Sequence, residues 1–271
     1  MSALKDKPNN SIAVASKRVK DGEADAVVLC GNTAASVAAA QLHLRRIKGV
    51  KRAGILTPLP TVGKKTWVID CGANAVGKPE HLVQFAEMGN ASLQRYCDMA
   101  RPRVGILNIG SEDGKGDELT GETHELLRQT KLNVIGNVEG DDIYTGDVDL
   151  VVCDGFTGNV VLKTSEGVAK AIGQSLREEI QLNLKRKIGY GLMKGAFDGL
   201  RQRTHWSIVG GCLLLGVDGV TVIGHGKSDR VAVYHALGQA VRCVETGVIA
   251  HVTSQVAPDR VAQDTADAAS A

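Results

Sequence analysis

Aromatic side chains are scarce, at 3% of 271 residues, so any core must be built from Val, Ile, Leu and Ala. Long apolar runs are missing too. No stretch approaches the ~20 uncharged apolar residues that a membrane span needs. The first twenty residues are rich in Lys, Asp and Asn and hold no apolar segment, which excludes a secretory signal there. The six Cys show no CxxC spacing and no pairing framework, so they read as reduced thiols of a cytoplasmic protein, neither disulfides nor a zinc site. A net charge of +2 makes no case for nucleic acid. Neither GxGxxG nor GxxxxGK[ST] occurs, so a dinucleotide or Walker-type site is not indicated.

What is present is a globular composition, 43% hydrophobic and 23% charged, with 32 Gly. The length suits one large α/β domain or two small ones. Apolar β-rich runs alternate with Gly/Asn loops and amphipathic stretches. Strands are expected at residues 24–30, 67–70, 103–108, 133–138, 150–154 and 220–224. Residues 55–56 begin a short run that Pro58 and Pro60 stop, since Pro has no ladder donor. Helices are expected at 34–46, from Pro79 to about 98, at 117–131, as a long helical region entered through Gly155-Phe156-Thr157-Gly158-Asn159, and from 229 to about 246. This order predicts an α/β fold: a doubly wound, largely parallel Rossmann-like sheet with helices on both faces. Residues 1–253 would form the domain and 254–271 a disordered tail.

In a doubly wound sheet the strand C-termini share one edge, where ligands bind. That edge would carry Asn32, Thr33, Asn74, Asn108, Lys115, Gly158, Asn159 and His225. Strand–Gly–Asn–helix junctions such as Gly31-Asn32-Thr33 and Gly158-Asn159 offer unpaired helical N–H groups to an anion. They also serve simply as caps and turns. Lys115, between two Gly, can swing over a crevice or stay a solvated loop cation. His225 is a candidate acid, base or donor. Cys30, Cys71 and Cys153 lie at strand ends and read first as small buried hydrophobes.

Residues 170–206 carry eight basic and three acidic side chains, a local excess of +5. Their apolar residues recur every fourth position and creep around the helix. Gly189 and Gly191 are expected to break it into a hairpin whose tip shows Ile188, Tyr190, Leu192 and Met193 beside Lys185, Arg186 and Lys187. Such a tip suits a membrane surface, a subunit or an acidic partner.

Taken together, the junctions resemble a known family, the PlsX phosphate acyltransferases. The resemblance runs in order through Gly31-Asn32-Thr33, Gly72-Ala73-Asn74 with Lys78-Pro79-Glu80-His81, and Gln84-Phe85-Ala86-Glu87-Met88-Gly89. It continues in Pro102-Arg103-Val104-Gly105-Ile106-Leu107-Asn108, Lys115-Gly116 and Gly136-Asn137-Val138-Glu139-Gly140. It is strongest in Asp154-Gly155-Phe156-Thr157-Gly158-Asn159, and ends with Gly210-Gly211 and His225-Gly226. Three departures are a further N-terminal strand and loop that family members carry, Val76 where an acid is usual, and Ala34 where Gly is common.

The resemblance implies transfer of a fatty acyl group from acyl carrier protein to inorganic phosphate, for phospholipid synthesis, without cofactor or metal. It assigns Asn32, Thr33, Asn74 and Gly158 to phosphate and Lys115, Asn159, Asn108 and His225 to catalysis. It also implies a homodimer, peripheral membrane contact and a membrane acyltransferase partner. The alternatives are an impaired relative that only binds carrier or membrane, and a coenzyme A-dependent enzyme.

Overall fold

A computed structural model describes residues 9–61, 63–204 and 210–256. In chain order the elements are α1 (Ser11–Lys20), β1 (Ala26–Gly31), α2 (Thr33–His43), β2 (Gly54–Pro60), β3 (Lys65–Ile69) and α3 (Pro79–Tyr96). There follow β4 (Arg103–Leu107), α4 (Glu118–Arg128), β5 (Asn133–Val138) and β6 (Leu150–Val152). The last are α5 (Gly155–Gln181), α6 (Leu184–Thr204), β7 (Cys212–Leu215), β8 (Val220–His225), α7 (Arg230–Glu245) and α8 (Val248–Val256). Of the expected tail, Ser254 to Val256 belong to α8, and 257–271 lie outside the described residues.

The eight strands form one sheet in the order β1-β8-β7-β2-β3-β6-β4-β5. Helices cover both faces, as expected. Period-two alternation sends Leu56, Trp67, Ile69, Leu150, Val152, Leu213 and Leu215 to one face, against Phe85 and Met88 of α3 and Ala236 and Ala240 of α7. Their neighbours Ile55, Val68, Val151 and Leu214 face the other way, against Val37 and Ala40 of α2. Close approach demands Gly at Gly105, where a Cβ would stand 2.1 Å from Val138 Cγ2.

Four of the seven pairings are parallel and three antiparallel. The antiparallel pairs, β8/β7, β7/β2 and β2/β3, sit mid-sheet and reverse its direction. β1, β8 and β2 therefore run one way, and β7, β3, β6, β4 and β5 the other. This corrects the expectation of a single edge for all strand ends. The ends of β3, β4 and β6 share an edge with the start of β2. The ends of β1 and β8 lie on the opposite edge, about 20 Å away along β2 at ~3.4 Å per residue.

Two further expectations fail locally. β2 continues through Pro58 and Pro60, which pair with Trp67 and Lys65. Pairing to β7 stops at Leu56, so beyond it one flank of β2 is a free edge where a missing N–H costs nothing. The helical hairpin does not turn at Gly189 or Gly191. It turns at Leu182-Asn183, where the Asn183 side chain accepts from Arg186 N (3.0 Å) and starts α6. Ile188, Tyr190, Leu192 and Met193 therefore lie along α6, below the tip, all exposed, Leu192 at 85%. Among the described residues no helix is long and apolar enough to cross a membrane.

Candidate active site

β3 hands Asp70 to the sheet edge, where it is fully buried. Its Oδ1 accepts from the backbone N–H groups of Ile55 (3.0 Å), Gly72 (3.1 Å) and Ala73 (2.9 Å). Its Oδ2 accepts from Asn74 N (2.8 Å) and Asn74 Nδ2 (2.9 Å). Nδ2 uses its second hydrogen on Ala53 O (2.7 Å). Burial pushes the Asp70 carboxyl above its ordinary range, while these donors pull it back. Every contact is one the carboxylate accepts, so no partner is placed to receive a carboxyl proton. Asp70 is therefore a hub that shapes the loop after β3.

The same hub holds the loop after β6. Gly155 N donates to Asn74 O (2.9 Å). A Cβ on Gly155 would stand 2.5 Å from that oxygen, and one on Gly158 would stand 2.0 Å from Asp70 O. Only glycine allows this approach. Asp154 caps α5, its Oδ1 accepting from Phe156 N (2.9 Å) and Thr157 N (3.0 Å) and its Oδ2 from Thr157 Oγ1 (2.6 Å). Gly158 N bonds back to Asp154 O (3.0 Å). The first four N–H groups of α5 are thus already used, which withdraws them from the anion-binding role expected around Gly158. Asn159 is exposed, and its side chain stands over Gly72, whose ideal Cβ position is 3.6 Å from Asn159 Oδ1.

Asn108 closes β4 and is buried. Its Nδ2 donates to Lys115 O (2.8 Å) and its Oδ1 accepts from Ile109 N (2.8 Å). It therefore pins the loop that carries Lys115. Gly116, at φ +99°, allows the turn back, since a Cβ there would meet Asn108 Oδ1 at 2.4 Å. Lys115 itself is exposed and lines a cavity of about 280 Å³ with Thr120, His124, Arg128 and Asn137.

The structure thus brings Asn74, Asn108, Lys115, Gly158 and Asn159 to one edge of three adjacent strands. It does not bring Asn32, Thr33 or His225 there. Asn32 caps α2 by accepting from Ala35 N (2.9 Å), and His225 accepts from Lys227 N (3.1 Å) through Nδ1, both at the far edge. Their expected places in a common site are corrected accordingly: the antiparallel centre of the sheet points β1 and β8 away. Cys71 and Cys153 lie under the hub, and burial pushes both thiols up, which favours the protonated, inert form. All six cysteines are unpaired.

Asp70 and Asp154 were not singled out from sequence. A signal existed: each is an acid at a strand end followed closely by Gly, in Asp70-Cys71-Gly72 and Asp154-Gly155.

The sequence profile of the family described as "Fatty acid synthesis protein" matches residues 1–251. A phosphate acyltransferase of Desulfitobacterium hafniense is 44% identical over 97% of this chain and 78% of its own length. The chain belongs to the phosphate acyltransferase family. Another relative, from Geotalea daltonii, is also 44% identical, over 94% of this chain and 73% of its own. Among solved structures, a branched-chain phosphotransacylase from Enterococcus faecalis has a TM-score of 0.55 at 16% identity, covering 87% of this chain and 80% of its own. The EutD phosphotransacetylase from Staphylococcus aureus has a TM-score of 0.54, also at 16% identity, over 88% and 68%. These two share the fold.

Proposed function

We propose that the chain transfers a fatty acyl group from the thioester of acyl carrier protein to inorganic phosphate, giving acyl phosphate for phospholipid synthesis. The observation that carries this reading is the 44% identity to phosphate acyltransferases over nearly the whole chain. The loops after β3, β4 and β6 supply a fitting edge. Phosphate is an anionic nucleophile near neutral pH, so its oxygen attacks the thioester carbonyl without a Ser-His-Asp triad. The tetrahedral oxyanion then expels the thiolate, which takes up a proton, and the C–S bond is exchanged for a C–O bond. Such a site needs donors for the oxyanion and a cation for phosphate or thiolate.

In this reading Asn159 is the oxyanion donor and Lys115 the neutralising cation. Asp70, Asn74 and Asn108 are positioning residues, because the Asp70 carboxylate, Asn74 Nδ2 and the Asn108 amide are spent on backbone and on one another. Loss of one oxyanion donor typically costs ~10²–10³ in rate. Acyl phosphate formation by Asn159→Ala and Lys115→Ala tests the assignment: falls of that order are expected, and near-normal turnover in both overturns it.

The hairpin supports a second proposal, reversible attachment to an anionic bilayer. Every residue from Gly167 to Glu179 is exposed, and Leu182 (66%), Leu184 (72%) and Leu192 (85%) stand unburied beside Lys185, Arg186 and Lys187. Each cation near such a surface contributes ~1 kcal/mol. In liposome flotation, Leu184→Glu and Leu192→Glu are expected to lose the membrane fraction. If both float as wild type does, the apolar faces serve a second copy in a homodimer, and cross-linking along α5 and α6 will report it.

A further inference from the structure

The loop between α2 and β2 contains Arg45, Arg46, Lys48, Lys51 and Arg52, five cations in eight positions with no acid among them. All five are exposed, whereas the two apolar side chains between them, Ile47 and Val50, are buried at 1% and 5%. The loop is built to hold one shape. Ile47 N donates to Gly216 O (3.1 Å) and Val50 N to Ile47 O (3.0 Å). The Gln84 side chain clamps it from α3, accepting from Lys51 N (2.8 Å) and donating to Gly49 O (2.9 Å). Arg46 donates to Lys51 O across it. Gly49 at φ +88° and Arg45 at φ +65° make its turns. Among the described residues one of the five, Lys51, sits in an ion pair, 3.7 Å from Glu80.

The position of this loop matters as much as its charge. It runs directly into Ala53 and Ile55, whose backbone groups bond Asn74 and Asp70. It therefore borders the edge that carries Asn108, Lys115 and Asn159, and exposed Lys78 adds a sixth cation from the loop after β3. Exposed, spread cations hold a small anion weakly, because water and salt screen each contact. A partner that meets several at once gains orientation and rate of encounter. A bilayer would also want apolar side chains to bury, and within 45–52 both are spent inside.

We propose that residues 45–52, with Lys78, form the docking surface for an acidic carrier protein that delivers the acyl thioester to the adjacent edge. The proposal rests on the acyl-transfer reading above and adds the place of contact. The rigid loop aligns the acidic face of the carrier, and the thioester arm reaches past Ala53 toward Asn159.

The test compares donors. In Lys48→Glu/Arg52→Glu, KM for palmitoyl-acyl carrier protein is expected to rise ~10-fold or more with kcat kept, as rim charges act mainly on association. Kinetics with palmitoyl-pantetheine, which has no acidic face, are expected to stay at wild-type values. Lys48→Arg/Arg52→Lys is expected to keep the protein-donor KM. Equal loss with both donors, or no change with either, overturns the proposal. So does a charge-reversal variant that loses flotation on anionic vesicles yet keeps its protein-donor KM. If wild type consumes neither donor, the acyl-transfer reading falls. Calorimetric titration with the carrier protein then decides docking alone: weaker binding by the charge-reversal variant supports it, and equal binding overturns it.

Discussion

The two edges of the sheet carry the same kind of sequence and differ in construction. At the edge of β1 and β8, Gly31-Asn32-Thr33 and His225-Gly226 make exposed caps and turns, in which Asn32 and His225 each accept from a backbone N–H two or three residues on. At the edge of β3, β4 and β6, Asp70 gathers donors from both sides of the sheet reversal, and Gly155 and Gly158 let α5 lean against it. A Gly–Asn junction is therefore informative only when something buried is packed around it. What distinguishes the second edge is a buried carboxylate with five donors, around which the loops after β3 and β6 are packed.

Breaking the hub is expected to have the largest effect. Asp70→Ala strands donors whose loss costs ~1–3 kcal/mol for each one left unsatisfied. A drop of about 3 kcal/mol or more in urea unfolding is expected, with acyl phosphate formation abolished. Gly158→Ala comes next, since its Cβ must displace Asp70 O; overpacking of this kind costs ~1–3 kcal/mol, and turnover should fall with it.

Third is Asp149, on the opposite edge, where Arg103 Nε (2.9 Å) and Nη2 (3.0 Å) grip both carboxylate oxygens. Burial works against its charge, but these bonds and the one from Arg103 N leave the carboxyl below its usual range. A lowered native pKa gives stability that is complete above the unfolded value, near ~3.9, and is lost as pH falls through the native one. Asp149→Asn is expected to cost about 1–2 kcal/mol at neutral pH; the gap to wild type should begin to close only below about pH 4 and vanish once pH falls below the lowered native value. It should leave turnover of the folded enzyme unchanged.

The smallest effect sharpens the comparison most. Asn32→Ala removes one cap, worth ~1 kcal/mol, and His225→Ala is expected to stay within about 0.5 kcal/mol. Neither should alter turnover by more than about twofold. A tenfold loss in either would return the far edge to the site.

Much of the fold was legible from period and punctuation. Residues 133–138 form the expected strand, and Pro79 opens the expected helix. The direction of the strands was not, because β7 is four residues long and β2 runs through two prolines. Both depend on neighbours rather than on local pattern. Which candidate residues share an edge was half legible for a related reason. Asn74, Asn108, Lys115 and Asn159 follow strands that happen to be parallel neighbours, whereas Asn32 and His225 follow strands beyond the reversal. The hairpin turn was misplaced because Gly189 and Gly191 look like breaks, yet α6 runs through them, and Asn183 supplied the stop.

β6 is inserted between β3 and β4, and its partners come from far back in the chain: Cys153 meets Asp70 O across 83 positions. The β2–β3 hairpin and the β4–β5 pair can each form early, from nearby segments. The chemistry has to wait. Until Leu150 to Val152 slot between those two pieces, Gly155 has no Asn74 to bond and Asn159 has no Gly72 to cover. The candidate edge is thus expected to be among the last parts of the molecule to exist during synthesis. In pulsed hydrogen exchange on refolding, the amides of Ala73, Asn74 and Gly155 are expected to gain protection after those of the β2–β3 hairpin. Simultaneous protection would show that the sheet closes in a single step.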